Sequence, residues 1–426
     1  MKSNRLIGLF VLLSVSVVDP ATFAQGLPTA RPEEVGMSSD RLERIGSLTQ
    51  AYVNEGKLPG VSTLVARRGK VVHFQQVGMM DMEAGKEMRP DTIFRLYSMT
   101  KPITGVAVMI LYEEGRFLLD DPVSRYLPEF QGLKVYLGGV GDSLRTESAT
   151  EMTIKHLLTH TSGLSYGGPE PGVPDIYRRS DIWKADTLKG FVERLAELPL
   201  IAQPGTRWHY SVSMDVLARL VEVLSGVPYD RFLADRIFGP LGMVDTGYHV
   251  PDEKIERFAA CYRKTAEGGM ELVDAPQDSR FRDPNAVSYG GDGLVCTTAD
   301  YLRFTQMLAN GGELDGVRIL GRKTAEFMMM DHLGPELGPE PLAEASWWVP
   351  PTGQGFGFTG SVLRSVARGS TLGSVGDFSW GGFAGTYFWV DQKEQLIGLL
   401  MTQLTPPYSY PIRAQMKILV NQAVVD

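Results

Sequence analysis

Ser98-Met99-Thr100-Lys101 sets a hydroxyl and an amine three residues apart at the head of a stretch whose apolar positions Ile103, Val106, Ala107 and Ile110 repeat with helical spacing. Residues three apart share one face of a helix, with Cβ atoms about 5–6 Å apart, so the Lys101 amine can reach the Ser98 hydroxyl and help it act as a nucleophile. Pro102 fixes where this helix starts. A proline has no N–H and clashes with the carbonyl four residues back, so it is tolerated only in a first turn. The helix is therefore expected to begin near Ser98, where unpaired backbone N–H groups and the positive dipole end would stabilise an oxyanion forming beside the serine. The tetrapeptide alone is a weak pattern, and an ordinary helix N-terminus carrying a surface lysine is the competing reading.

Two further stretches carry candidate chemistry. Gln203-Pro-Gly-Thr-Arg-Trp-His-Tyr210-Ser211 reads as a turn followed by a helix and places Tyr210 just before the first turn. A phenol of reference pKa about 10 beside an ammonium of about 10.4 favours its own ionised form, while desolvation lowers the lysine. The pair is expected to share protons near neutrality and to take the serine's proton; a tyrosine that only packs and makes one hydrogen bond is the alternative. Trp380-Gly381-Gly382-Phe383 precedes a strand, and adjacent glycines let a backbone pass close to a ligand. The Phe383 N–H can then face the Ser98 N–H. Two such donors make an oxyanion hole, and removing one costs about 2.7–4 kcal/mol of barrier. Gly-Gly before a strand is equally a bulge or turn.

A rival serine stands in Gly163-Leu-Ser165-Tyr-Gly167, which matches the G-x-S-x-G elbow. That motif needs a strand before it and a helix after it. Residues 154–158 instead continue a helical pattern, and Pro169, Pro171 and Pro174 are expected to forbid a helix downstream, so Ser98 is the preferred nucleophile. His156 and His160 stand four apart, a spacing that can bind zinc, but no H-E-x-x-H pattern or cysteine cluster accompanies them and a structural role is favoured. His209 adjoins Tyr210, where packing is the simpler role.

Residues 38–55 carry Leu42, Ile45, Leu48 and Tyr52 at helical spacing behind Ser38, Ser39 and Asp40 as cap residues. Residues 60–68 and 70–77 are rich in β-branched side chains about a Gly69 turn, an antiparallel hairpin. Strand character returns at 386–391 and 396–403 and is followed by a helix at 411–424. Between the two ends, helices are expected at 186–198, closed by Pro199, and at 213–224, closed by Gly226. Long loops are expected at 167–174 and 334–355; Trp347, Trp348, Phe356 and Phe358 make the second a candidate wall of an apolar pocket. The fold class is α/β of the α+β type, an antiparallel sheet flanked by helices. The sheet-containing domain takes residues 25–115 and 285–426 and a mainly helical domain residues 116–284, with a cleft where they meet.

In that order along the chain stand Phe94-Arg-Leu-Tyr-Ser98-Met-Thr-Lys101, Leu119-Asp-Asp-Pro-Val123, Leu157-Leu-Thr-His-Thr-Ser-Gly163-Leu164, Pro204-Gly-Thr-Arg-Trp-His-Tyr210-Ser211 and Trp380-Gly-Gly382. Together they resemble the serine hydrolases of the class C β-lactamase and penicillin-binding-protein type, over nearly all of the chain. The resemblance implies a β-lactamase-like fold, Ser98 as nucleophile, Lys101 and Tyr210 as the proton-handling pair, and the Ser98 and Phe383 N–H groups as oxyanion hole. Two departures select a subgroup. Position 212 is Val where the β-lactamases carry the Asn of Tyr-x-Asn, and Trp380 stands where their third motif begins with lysine. That lysine is part of the recognition of the antibiotic's carboxylate, and both departures replace polar recognition by apolar surface, placing Val212, Trp380, Gly381 and Gly382 at the substrate. Tyr-Ser-x with Trp-Gly-Gly is similar to family VIII carboxylesterases, which implies a small-molecule ester of short to medium chain length as substrate. No metal or organic cofactor is needed. A β-lactamase or D-amino-acid peptidase and an acyltransferase would use the same acyl-enzyme; a non-catalytic penicillin- or cell-wall-binding receptor is the reading of another class, against which the complete Ser98, Lys101 and Tyr210 set argues.

Residues 1–24 read as a secretory leader: Lys2 and Arg5, an apolar run, then Thr22-Phe23-Ala24 before Gln25. The apolar run is shorter than the about 20 residues that span a bilayer and is broken by Gly8, Ser14 and Ser16, so export to the periplasm or medium is expected rather than stable membrane insertion. A net charge of −8 without a clustered basic face argues against a nucleic-acid partner. Two cysteines, Cys261 and Cys296, are too few for a disulfide framework, and their pairing and the oligomeric state stay open.

Overall fold

The computed structural model describes residues 28–334, 337 and 353–426; the expected leader at 1–24 and Trp347 and Trp348 lie outside them. Eight strands form one antiparallel sheet in the order Gln354–Phe356, Ser361–Leu363, Phe378–Gly381, Tyr387–Asp391, Leu396–Met401, Gly60–Arg67, Lys70–Asp81 and Lys86–Glu87. The Gly60–Arg67 and Lys70–Asp81 hairpin turns on Arg68 and Gly69, both at positive φ (51° and 72°), the two-residue geometry whose twist matches that of the strands. Successive side chains of a strand point to opposite faces. Val61, Val65, Leu396, Leu400 and Trp389 accordingly cluster with Leu42 and Ile45 of the helix Ser39–Asn54 and with Ile412, Met416 and Val420 of the helix Ile412–Asn421. Leu64, Ala66, Ile397 and Leu399 face the main core with Tyr301, Phe304 and Leu308 of the helix Thr298–Ala309. The three buried anchors of the C-terminal helix contribute on the order of 5–9 kcal/mol of burial before the cost of ordering the chain. That helix is a firm platform.

The helix Thr100–Glu113 is buried nearly all round and packs against the helix Ser213–Ser225. A helix apolar on every side belongs in the interior, and here it carries the start of one motif to the start of another. Leu188–Ala196, with Leu188, Phe191, Val192 and Leu195 buried, and Ser213–Ser225, closed by Gly226 at φ 77°, form as their spacing predicts. Two expectations need correcting. A helix does follow Ser165, at Val173–Arg179, because Pro174 sits in its first turn, where a missing N–H costs nothing. Gln354–Phe356, Ser361–Leu363 and Phe378–Gly381 are strands, too short to show a two-residue period in the sequence. No helix among the described residues is long and apolar enough to cross a membrane.

Candidate active site

The strand Ile93–Arg95 pairs with Val295–Thr297 and delivers the chain to Tyr97, whose φ of 46° is left-handed. For a bulky residue that conformation costs about 1–3 kcal/mol and persists only where the surroundings impose it. Here the Tyr97 ring packs edge-on against Phe281 and Phe383, with centroids 6.2 and 5.9 Å away. A short 3-10 turn, Tyr97–Met99, runs into the helix that starts at Thr100, with Pro102 in its first turn. Ser98 thus stands at the mouth of a helix, facing a cleft.

Lys101 is fully buried, and its Nζ donates to Ser98 Oγ at 3.2 Å and to the Gly291 carbonyl at 2.6 Å. The Tyr210 hydroxyl donates to the same Oγ at 2.8 Å, across 112 residues of sequence. The Tyr210 and Tyr166 rings lie 4.8 and 5.3 Å from Nζ. Serine, amine and phenol are therefore in mutual contact. Burial lowers the Lys101 pKa, opposed by the nearby Asp215 and Asp292. Burial likewise raises that of the Asp215 carboxyl, opposed by Lys101; its Oδ1 accepts from the Gly291 N–H at 2.7 Å. For Tyr210 the expected ionisation does not hold. Removal from water outweighs the hydrogen bond to Ser98 and pushes the phenol well above its ordinary value. The pair is a neutral phenol beside an amine that releases its proton readily.

Trp380 and Gly381 end one strand, and the chain turns back through Gly382 to Gly385, with the Gly382 N–H on the Thr386 carbonyl at 2.9 Å and the Gly385 N–H on the Gly382 carbonyl at 3.2 Å. A Cβ on Gly382 would lie 2.2 Å from the Leu96 carbonyl oxygen, so this position needs glycine to let the turn rest on the segment that leads into Ser98. The Phe383 N–H donates to no backbone carbonyl of the described residues, and its ring is 44% exposed at the cleft. Gly382→Ala is expected to push the two segments apart and lower kcat about 100-fold while the protein still folds, as judged by unchanged circular dichroism; full activity would show that the close approach has no bearing on turnover.

The cleft has a volume of about 890 Å³. Tyr97, Tyr166, Trp183, Tyr289, Trp380 and Phe383 give it aromatic walls around Ser98, and Gly381 and Gly382 line it beside them. Val212 does not belong to it: its side chain is fully buried where it precedes the helix Ser213–Ser225, and Asp215 on that helix's first turn reaches the cleft instead. Phe356 and Phe358 are buried behind the wall, Phe356 edge-on to Trp380 at 5.3 Å and Phe358 stacked on His332 at 3.8 Å. Ser165 is buried outside the lining, its Oγ accepting from the Gly167 N–H at 3.1 Å and lying 3.3 Å from His209 Nε2. His160 is buried against the Tyr210 ring at 4.7 Å and takes the Ser211 N–H on Nδ1, whereas His156 Nδ1 accepts from the Thr153 N–H. Cys261 and Cys296 are buried free thiols.

The residues that the motifs do not reveal are Asp215, Tyr166 and Gly291. Asp215 sits where an acidic residue commonly serves a helix's first turn, and Tyr166 lies within the discounted G-x-S-x-G stretch. The run Gly290-Gly291-Asp292-Gly293 was the available signal for a backbone passing close to something: a Cβ on Gly291 would meet the Asp215 carboxylate at 3.0 Å.

The β-lactamase family model matches residues 45–421. The chain is 37% identical over 375 residues to Protein Rv1367c of Mycobacterium tuberculosis, covering 84% of this chain and 90% of that one. It is 33% identical over 379 residues to Esterase EstB of Burkholderia gladioli, covering 84% and 89%. Among solved structures, EstCE1, described as a hydrolase with promiscuous acyltransferase activity, superposes with a TM-score of 0.75 at 28% identity, over 89% of this chain and 98% of that one.

Proposed function

The chain belongs to the β-lactamase family, and from that membership we propose that it is a serine carboxylesterase cleaving short- to medium-chain esters through an acyl-enzyme on Ser98. The observation that carries this reading is Ser98 Oγ held between Lys101 Nζ at 3.2 Å and the Tyr210 hydroxyl at 2.8 Å. The similarity to EstB and EstCE1 supports an ester as substrate. Trp380 puts an indole on the cleft at the position where the third motif of the β-lactamases begins with lysine, which supports an ester making apolar contact there.

Neutral Lys101 takes the Ser98 proton as Oγ attacks the ester carbonyl, and the Ser98 and Phe383 N–H groups hold the resulting oxyanion. Tyr210 protonates the departing alcohol as the carbon–oxygen bond breaks and recovers a proton from the Lys101 ammonium. Water then attacks the acyl group, gives its proton to the same amine, and Ser98 is restored as the acid leaves. An alcohol in place of that water would make an ester instead, the second reading that the similarity to EstCE1 favours. The secretory pattern read in the sequence of residues 1–24 supports the periplasm or medium as the proposed place of action.

Because the amine must be neutral to act, kcat/KM is expected to rise with pH as Lys101 loses its proton, well below the pKa of about 10.4 of a free lysine. Asp215 holds that proton on. Asp215→Asn keeps an acceptor for the Gly291 N–H but removes the charge, so the acid limb should move to lower pH; a limb that stays or moves upward would separate Asp215 from Lys101. The reading as a whole is tested by mass spectrometry after exposure to a phosphonate ester, with turnover of nitrophenyl butyrate compared with a chromogenic cephalosporin. An adduct on Ser98 and faster ester turnover are expected. An adduct elsewhere, or preference for the cephalosporin, overturns it.

A further inference from the structure

Arg413 stands in the first turn of the helix Ile412–Asn421, only 9% exposed, where burial and the positive end of the helix both disfavour a cation. Among the described residues no carboxylate pairs with it. Its Nη2 donates to the Gly382 carbonyl at 2.5 Å and its Nε to the Gly385 carbonyl at 3.3 Å, while the Tyr408 and Tyr387 rings lie 4.9 and 5.8 Å from Cζ. Gly381 leaves room for it, since a Cβ there would be 2.8 Å from Nη1. One guanidinium therefore grips the turn on both sides of Phe383.

The Gly382 carbonyl and the Phe383 N–H are two ends of one peptide unit. In a planar trans peptide they point in opposite directions, so fixing the oxygen from the side of the helix fixes the N–H on the other. The carbonyl is bonded to a cation in a water-poor setting, which draws electron density from the amide nitrogen and makes its N–H a stronger donor. Gly381, Gly382 and Phe383 line the cleft with Ser98, and Arg413 borders the same cleft from the C-terminal helix.

We propose that Arg413 is a positioning residue of the oxyanion hole, aiming and polarising the Gly382–Phe383 peptide through its carbonyl. This rests on the esterase reading, in which the Phe383 N–H receives the oxyanion. It also gives the buried cation a reason to occupy a place that stability alone disfavours. The C-terminal helix, anchored by Ile412, Met416 and Val420, supplies the fixed mount that such a role needs.

Arg413→Met and Arg413→Lys test it. With nitrophenyl butyrate, Arg413→Met is expected to lower kcat about 100-fold, the effect of losing one oxyanion donor, with KM changed less than about threefold. Arg413→Lys, which keeps a charge near the same carbonyls, should recover part of that loss. The decisive readout is the acyl carbonyl stretch in infrared difference spectra of the acyl-enzyme made with nitrophenyl trimethylacetate. A weaker hole leaves that carbonyl less polarised, so the band should shift to higher frequency in Arg413→Met and part of the way in Arg413→Lys. A kcat that falls only in proportion to the Ser98 that remains titratable, with an unmoved band, would mean that Arg413 merely holds the fold and overturns the proposal. So would undiminished turnover in Arg413→Met. If the unaltered protein forms no acyl-enzyme on Ser98 at all, the esterase reading itself falls, and the proposal with it.

Discussion

Ser98→Ala is expected to lower kcat on nitrophenyl butyrate by about a millionfold, to the residue of catalysis that binding and hydrogen-bond donors provide without a nucleophile, and to abolish labelling by a phosphonate ester. The size follows from the mechanism. With a methyl group at position 98, Lys101 and Tyr210 lose the atom on which both converge, so proton transfer and covalent attack fail together. The contrast is Ser165→Ala. That serine is buried away from the cleft, and its loss removes a hydrogen bond from the Gly167 N–H, about 0.5–1.5 kcal/mol of stability, with turnover within a few-fold of normal. The inverse pattern, with Ser98→Ala active and Ser165→Ala inert, would move the nucleophile to the other motif and end the assignment of Ser98.

What the sequence made legible was local. The serine, the lysine and the proline that sets the helix start lie within five residues, joined by one 3-10 turn that runs straight into the helix, so the structure has little room to differ. The hairpin about Arg68 and Gly69 and the helix Leu188–Ala196 are likewise written in one stretch each. Val212 failed for a related reason. Just before a helix, one residue of phase decides between core and cleft, and nothing local fixes that phase; the side chain went inward and Asp215 took the cleft. The strand Phe378–Gly381 was hidden because its partner, Tyr387–Asp391, is supplied only after the turn of Gly382 to Gly385 has closed. The phenol of Tyr210 shows the limit most plainly. A nearby amine would lower its pKa in water, but its environment is assembled from Trp380, His160 and Lys101 at distant positions, and their exclusion of water reverses the sign.

That reversal makes Tyr210 a proton donor, and Tyr210→Phe has a distinct expected signature. The ring keeps its packing, 5.5 Å from Trp380 and 4.7 Å from His160, and loses only the hydroxyl. An alkyl ester leaves as an alkoxide, a strong base that cannot depart without a proton. Nitrophenolate is a weak base and departs without one. The substitution should therefore lower kcat on ethyl butyrate by about 1,000- to 10,000-fold and on nitrophenyl butyrate by only about tenfold. Lys101→Ala removes the base that both substrates need, and should lower both by about 10,000-fold without discriminating between them. Assigning the two roles the other way round predicts the opposite split: the phenylalanine variant equally poor on both esters, and the alanine variant selective against the alkyl one. The ratio of the two rates in each variant therefore decides which group carries the proton to the leaving alcohol.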